Sequence, residues 1–402
     1  MLAASGAALG ACSNSQNHQL SATKLGDLSF PVVDEGNAGD DPAATCGDGA
    51  VTEAGGARLD RMPYLQRTSE NSVSVLFTTR KAGDAAEVLE LTTPSGELIE
   101  RIQASDDPGA KDGRQQLVTL NDLQPDTYYC YSLVGATNPT GLRTAPATGA
   151  ELPVRFIAFG DSGDDSAGQL AVHDQMGTVP FDLILHTGDI AYDSGSMSAL
   201  ENTFFDVYAD YLRNAPVFPT TGNHDYETAS AEPFRQVFDL PENGGSKGNE
   251  RWYSFDYGDA HFVALDTEQR LADQATWLER DLSNNQLPWK IVYFHRPPFS
   301  SGDHGSNLEV RQAFVPLFEK FGVQLVLSGH DHDYERTLPM NGVTYVVTGG
   351  GGKGTRSVGQ SSFTAFSDAT LHFVYGTLEP DALVLHAIDA MGQQFDSVRI
   401  AP

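Results

Sequence analysis

Two histidines, His330 and His332, alternate with two aspartates, Asp331 and Asp333, in LSGHDHDYER (327–336). An apolar run, GVQLVL (322–327), feeds straight into them. Alone, the stretch fits a metal site, a pair of surface ion pairs or coincidence. It has company: Asp161, Asp189, Tyr192, Asn223, His224, Asp225, His295, Asp303 and His304 stand in similar polar clusters. Nitrogen and hard oxygen dominate this set and cysteine is absent from it. That chemistry excludes soft-metal and iron–sulfur sites and suits Zn, Mn or Fe. Two ions need about seven or eight ligand contacts with one carboxylate shared between them, and a pair roughly 3.5–4 Å apart clamps a phosphoryl group and supplies hydroxide at neutral or acid pH.

Such a set works only if the clusters meet in space. From residue 152 onward, apolar runs of about five residues lead into polar clusters. VRFIAF precedes GDSG, FDLILH precedes TGDIAY, APVFPT precedes TGNHDY, AHFVAL precedes DTE and WKIVYF precedes HRPP. VQLVL then leads to SGHDH and VTYVV to TGGGG. Short continuous apolar runs predict strands buried on both faces. Helical patterns such as ADQATWLERDL and NLEVRQAFVPLFEKF lie between several of them. In this α/β rhythm ligands bind beyond the carboxyl ends of the strands, so the clusters should share one rim. The final stretch, from Thr370 to Ile400, reads as antiparallel strands completing a second sheet. Residues 56–146 differ: short alternating runs separated by turns predict a β-sandwich. LQPDTYYCYSL (123–133) resembles the tyrosine corner of fibronectin type III-like domains, with a Tyr hydroxyl bonding back to the chain at a sheet corner.

The ordered blocks GDSG (160–163), GDIAY (188–192), GNHD (222–225), VYFH (292–295) and GHDH (329–332) resemble the five-block motif of the purple acid phosphatases, calcineurin-like metallophosphoesterases. The resemblance implies a four-layer αββα sandwich preceded by an all-β fibronectin/Ig-like sandwich. It also implies an acid phosphatase acting on small phosphate monoesters at a binuclear Fe(III)–M(II) centre, with M being Zn, Fe or Mn. In that reading Asp161, Asp189, Tyr192 and His332 hold Fe(III), while Asp189, Asn223, His295 and His330 hold the divalent ion. Metal-bound hydroxide is the nucleophile and His224 the general acid, with Asp225 orienting its imidazole. Relatives place substrate-facing histidines after the fourth block, which points to His304; Arg296 would contact phosphate or form a supporting ion pair. Other metallophosphoesterases usually carry a His two residues after the first Asp. This chain has Gly163 there and has Tyr192 in the second block, as a tyrosinate ligand to Fe(III) requires. Two rivals remain: a phosphodiesterase or nucleotidase with a Mn or Zn pair, and a non-catalytic exported module with a vestigial site.

Other residues carry less. His18, His173, His261, His372 and His386 are read as structural, His186 as support for a ligand, and Asp266 as a strand-end residue matching no ligand position. His330 and His332, two apart at a strand end, should face the rim together, with Asp331 and Asp333 on the opposite face. TGGGGKGT (348–355) lacks the spacing of a nucleotide P-loop and reads as a close backbone approach beneath the metals.

The 402 residues are 40% hydrophobic and carry a formal net charge of -29. Sizeable cores are therefore available, and nucleic acid and anionic lipid are disfavoured as partners. LGAC (9–12) before SNSQ resembles a bacterial lipoprotein processing site, implying a lipid anchor at Cys12 and an exported, periplasmic or cell-surface protein; the basic n-region of such a signal is missing. Cys46 and Cys130 then remain as either a disulfide or two separate thiols. The expected organisation is a signal segment over 1–12, a flexible tether over 13–55, the sandwich over 56–146 and the catalytic domain over 152–402.

Overall fold

The computed structural model describes residues 42–81, 87–246 and 250–402, all within one compact unit. The signal segment, Cys12, His18 and residues 13–41 of the tether lie outside the described residues. Residues 42–55, expected as the end of that tether, are folded instead. Helices Pro42–Cys46 and Glu53–Arg58 lie against the first domain. Cys46 forms a disulfide with Cys130, and the amides of Gly49 and Thr52 donate to the carbonyls of Pro139 (3.0 Å) and Ala136 (2.9 Å). Low apolar periodicity hid this segment because backbone pairing and a disulfide hold it, not an amphipathic face.

Eight strands follow: β1 (Leu59–Gln66), β2 (Val73–Thr79), β3 (Val88–Thr92), β4 (Leu98–Gln103), β5 (Ser105–Asp106), β6 (Gln115–Leu120), β7 (Tyr128–Leu133) and β8 (Thr140–Arg143). They pair as two sheets, β1-β2-β6-β5 and β4-β3-β7-β8. Leu65, Val73, Val75, Phe77, Leu89, Tyr131, Leu133 and Leu142 fill the space between them. The Tyr129 hydroxyl accepts from the Gln124 amide at 2.9 Å, which is the tyrosine-corner bond. β2 is buried along its whole length. Val73, Val75 and Phe77 face the sandwich core, whereas Leu76 and Tyr64 join the core of the following domain. The alternation of strand side chains thus fastens the two domains face to face. Gln66 Nε2 donates to the Val217 carbonyl at 2.6 Å, and the buried Arg61 binds Glu201 at 2.9 Å with its guanidinium 4.0 Å over the Phe205 ring.

The second domain contains β9 (Val154–Phe159), β10 (Leu183–His186), β11 (Val217–Pro219), β12 (Tyr253–Tyr257), β13 (Ala260–Ala264), β14 (Trp289–Tyr293), β15 (Leu325–Ser328), β16 (Tyr334–Thr337), β17 (Thr344–Thr348), β18 (Thr364–Asp368), β19 (His372–Glu379), β20 (Ala382–Asp389) and β21 (Gln394–Ile400). Each apolar run singled out from the sequence is one of these strands. They build a six-stranded sheet, β11-β10-β9-β19-β20-β21, and a seven-stranded sheet, β12-β13-β14-β15-β17-β16-β18. β9, β10 and β11 run parallel, as do β13, β14, β15 and β17. The C-terminal meander joins the first sheet antiparallel through β19.

The inner faces of the two sheets share one core, where Phe156 of β9 meets Phe262 of β13 edge-on at 6.2 Å. Helices Leu271–Asn284 and Leu308–Phe321 cover the outer face of the larger sheet through Trp277, Leu278, Leu282, Phe314 and Phe318. The second begins at Asn307, whose side chain accepts from the Val310 amide at 3.0 Å, and stops at Gly322. Helix Ala167–Met176 lies on the other side, with Val172 and Met176 buried against the smaller sheet. The layers are therefore α, β, β, α. Among the described residues no helix is long and apolar enough to cross a membrane.

Candidate metal centre

All the parallel strands around the centre end at the same rim. Asp161 follows β9, Asp189 follows β10, Asn223 and His224 follow β11, His295 follows β14, and His330 and His332 follow β15. Three of these residues hold left-handed backbone: Asp161 at φ 57, Asp189 at φ 51 and His330 at φ 72. For residues with a Cβ this conformation costs of the order of 1–3 kcal/mol each, and it clusters at functional sites. Here the loops hold it in place. The Asp161 amide donates to the Gly188 carbonyl at 3.0 Å, and the His330 amide donates to Asp161 Oδ2 at 2.9 Å.

The side chains close into two adjoining rings. In the first, Tyr192 Oη lies 3.0 Å from Asp161 Oδ1, 3.0 Å from Asp189 Oδ2 and 3.2 Å from His332 Nε2, while His332 Nε2 lies 3.5 Å from Asp161 Oδ1. In the second, His295 Nε2 lies 3.4 Å from Asp189 Oδ2, 3.2 Å from Asn223 Oδ1 and 3.2 Å from His330 Nδ1. Asp189 Oδ2 belongs to both. Donors about 2.0–2.2 Å from one ion lie roughly 3–3.5 Å apart along the edges of its coordination shell, so each ring has the dimensions of a ligand set. Ligand atoms of Asp161, Asp189 and His295 all fall within 4.8 Å of one another.

The tautomers agree with this reading. His295 Nδ1 faces the Thr187 carbonyl at 3.0 Å and His332 Nδ1 faces the Gly354 carbonyl at 3.0 Å. Both Nδ1 atoms therefore carry hydrogen, and both Nε2 lone pairs point into the rings, as for metal-binding histidines held by a backbone carbonyl. Lone pairs of His295, Asn223 and Asp189 then face one another, which is unfavourable without a cation between them. The electrostatics say the same. Burial works against a charged His295, but Asp189 and Asp161 overcome it and lift the imidazole up to about 10. Burial and then the same two carboxylates hold the Tyr192 phenol well above its ordinary value. The pocket thus draws positive charge, and only a strongly charged ion would ionise Tyr192 there.

Supporting residues lie behind the rings. His186 Nε2 meets Ser162 Oγ at 2.9 Å and its Nδ1 accepts from the Gly188 amide at 3.2 Å, steadying the loops that carry Asp161 and Asp189. Its burial pushes the imidazole down to about 3, so it stays neutral. Asp266 is no ligand; it accepts from Tyr226 Oη at 2.5 Å and from the Glu268 amide at 2.9 Å. The glycine-rich loop passes directly under the site. The Gly351 amide donates to the Gly160 carbonyl at 3.0 Å and the Lys353 amide to the Asp161 carbonyl at 2.9 Å. A Cβ on Gly349 would stand 2.2 Å from the Asp331 carbonyl oxygen and 2.9 Å from Asp161 Oδ2.

Three expectations change. Asp225 does not orient His224. Its carboxylate accepts from the Gly222 amide at 2.8 Å and the Ile190 amide at 3.1 and 3.3 Å, pinning the second and third ligand loops together. His224 Nδ1 meets the Asp193 carbonyl at 2.6 Å instead, its amide donates to Asp189 Oδ1 at 2.8 Å, and its ring lies 4.6 Å from that of Tyr192. Second, residues 329–333 are not strand, so pleat alternation is not what turns the two histidines to the rim. The left-handed turn at His330 sends one imidazole to each ring. Third, Asp331 and Asp333 do leave the rings, but Asp331 has a task. Asp331 accepts from Ser300 Oγ at 2.5 Å and from the His304 amide at 2.8 Å, tying down the loop after the fourth block. Asp333 is buried and pushed up to about 8 by desolvation, Asp331 and Glu335.

His304 reaches the site: its ring stacks on His330 at 4.3 Å. Arg296 is gripped by Glu268 at 2.7 and 3.0 Å, with Nη1 3.0 Å from His330 Nε2. Glu268 and Arg356 were not foreseen. Glu268 stands in DTE, one of the strand-end clusters, which was the available signal. Arg356 had none, because it arrives from the far end of the glycine loop.

Residues 154–334 match the calcineurin-like phosphoesterase family. An uncharacterized protein of Mycobacterium tuberculosis is 30% identical over 269 residues, covering 56% of this chain and 50% of its own length. Purple acid phosphatase 18 of Arabidopsis thaliana is 29% identical over 264 residues, covering 60% of this chain and 59% of its own. Human acid phosphatase type 7 is 30% identical over 286 residues, covering 61% and 64%. The chain thus spans about half to two thirds of the length of these relatives. In fold it is similar to the purple acid phosphatase from yellow lupin (Lupinus luteus) seeds, with a TM-score of 0.75 at 22% identity over 88% of this chain and 74% of that one.

Proposed function

We propose that this chain, whose residues 154–334 form a calcineurin-like phosphoesterase domain, hydrolyses small phosphate monoesters as the purple acid phosphatases it resembles do. The observation that carries the reading is the shared carboxylate: Asp189 Oδ2 stands 3.0 Å from Tyr192 Oη and 3.4 Å from His295 Nε2, at the junction of two donor sets. Asp161, Asp189, Tyr192 and His332 would hold Fe(III), and Asp189, Asn223, His295 and His330 a divalent Zn, Fe or Mn. Two carboxylates with a phenolate suit the harder ion, and imidazoles with an amide suit the divalent one. Such a pair, when bound, supplies Lewis acidity at the phosphoryl oxygens and an acidified water.

The chain's own residues do the rest. His224 hydrogen-bonds the Asp193 carbonyl through Nδ1, which leaves Nε2–H of its protonated form to deliver a proton to the leaving alkoxide. The hydrogen bond from its backbone amide to Asp189 Oδ1 keeps that imidazole in register with the shared ligand. His304, beside His330, offers a hydrogen bond to substrate oxygens, and Glu268 holds Arg296 next to His330. The Cys46–Cys130 disulfide supports an oxidising, exported location.

The test is the visible spectrum and metal content of the purified protein beside Tyr192→Phe. A tyrosinate-to-iron charge-transfer band, absent from the variant, is expected together with p-nitrophenyl phosphate hydrolysis in mild acid. A colourless, fully active dizinc or dimanganese enzyme would remove iron from the assignment. Metal-loaded protein inert at every pH would remove the enzymatic reading itself.

A further inference from the structure

Beside the second donor ring stands an arginine with hydrogen-bonding capacity to spare. The chain has 54 acidic against 25 basic residues, and carboxylates engage the neighbouring cations: Glu268 holds Arg296, Asp193 holds Lys353 at 2.9 Å, and Asp396 holds Arg336. Arg356 pairs with no carboxylate among the described residues. Its Nη1 donates to His304 Nε2 and to the His330 carbonyl, the latter at 3.4 Å. A guanidinium has five N–H donors, so Nε–H and both Nη2–H are unspent within the described residues. The group is not a loose surface side chain. The Arg356 amide donates to the His332 carbonyl at 2.9 Å, the His304 amide donates to Asp331 at 2.8 Å, and His304 stacks on His330 at 4.3 Å. His304 accepts through Nε2, so its Nδ1–H is a further donor. Both residues are built onto the backbone that carries the two last ligands.

Their distance from the rings decides what they bind. His330 points Nδ1 into the second ring, and the His304 ring lies across its face, with the guanidinium bonded to His304. Arg356 therefore stands one imidazole layer outside the position of a phosphoryl group clamped between the donor rings. A planar fork of unpaired donors at that remove matches the oxygens of a second anionic group.

We propose that Arg356, with His304, forms a subsite for a second phosphate, so that the preferred substrates carry one on the leaving-group side of the scissile bond. This rests on the reading of the donor rings as a phosphoester site. It narrows the substrate class from monoesters in general to diphosphate-like anions.

The test separates the two readings by measuring binding instead of turnover. Metal-loaded wild-type protein, Arg356→Ala and Arg356→Lys are titrated calorimetrically with methylenediphosphonate, which is not hydrolysed, and with orthophosphate; thermal midpoints confirm that the variants fold. The wild type should bind the diphosphonate more tightly, and Arg356→Ala should cut that preference by about tenfold or more, as for loss of a charge-assisted hydrogen bond. Arg356→Lys should retain part of it, since a point charge replaces the fork. An unchanged preference ratio in Arg356→Ala, or an equal loss for both anions, overturns the subsite. Wild-type protein that shows the preference yet hydrolyses no phosphate ester keeps the subsite and overturns the enzymatic reading.

Discussion

Gly349 tests whether the glycine loop holds the metal centre in place. It has no side chain where the loop crosses beneath Asp161, and a Cβ would stand 2.2 Å from the Asp331 carbonyl oxygen and 2.9 Å from Asp161 Oδ2. Real Cβ contacts stay beyond 3.0 Å, so Gly349→Ala must open the first gap by roughly 0.8 Å. Backbone has to move, because neither neighbour is the free end of a flexible side chain. Overpacking of this kind costs about 1–3 kcal/mol. The functional effect should be larger than the stability effect. Ligand distances are tolerated to about 0.2 Å, whereas the strain falls on Asp161 and on the stretch joining His330 to His332. The assay is metal content per chain, read with the visible band and with p-nitrophenyl phosphate turnover. Gly349→Ala should retain substantially less than one ion in the ring of Asp161, Tyr192 and His332, and its turnover should fall by about 10- to 100-fold, while the thermal midpoint drops only slightly. Gly359→Ala is the matched control, since a Cβ there meets only the Ser301 carbonyl oxygen at 3.4 Å. A Gly349→Ala protein with full metal and wild-type rate would show that the floor yields freely, and the argument from close approach would be refuted.

Two further outcomes are open to simple measurement. Burial works against a charged His261, but Asp256 (2.6 Å) and Asp281 (2.9 Å) win and raise it to about 9. A raised histidine stabilises the fold below its unfolded value of about 6.5, and the contribution fades as pH climbs through about 9. Denaturant unfolding should therefore separate wild type from His261→Gln by on the order of 2–3 kcal/mol at pH 6 and by little at pH 10; a pH-independent gap would contradict the linkage. Cys46 and Cys130 lie 84 residues apart. Loop entropy predicts about 4.5 kcal/mol lost in the Cys46→Ser/Cys130→Ser variant, readable as a lower thermal midpoint, and a midpoint unmoved by the variant or by reductant would deny the bond a structural role.

The convergence of the candidate ligands was legible because of one geometric rule. Apolar runs that end in Asp161, Asp189, Asn223, His295 and His330 become parallel strands, and parallel strands deliver their ends to a common rim. Residues whose work is done through backbone amides were not legible. Asp225 sits beside His224 in sequence, so an imidazole partner was the natural guess, yet its carboxylate serves Gly222 and Ile190, whose amides leave no mark in the residue pattern. The turn at His330 was hidden for a related reason, since a histidine at φ 72 announces nothing in the sequence. Arg356 is bonded to His304, 52 residues earlier in the chain, and only the course of the glycine loop brings them together.

The left-handed backbone at Asp161, Asp189 and His330 sets fold and chemistry against each other at the same three positions. Glycine would relax each of them, and each replacement would also delete a candidate ligand. Selection for heat resistance alone would push this chain towards glycine there. Its winners would be tougher proteins that have forgotten how to hold a metal.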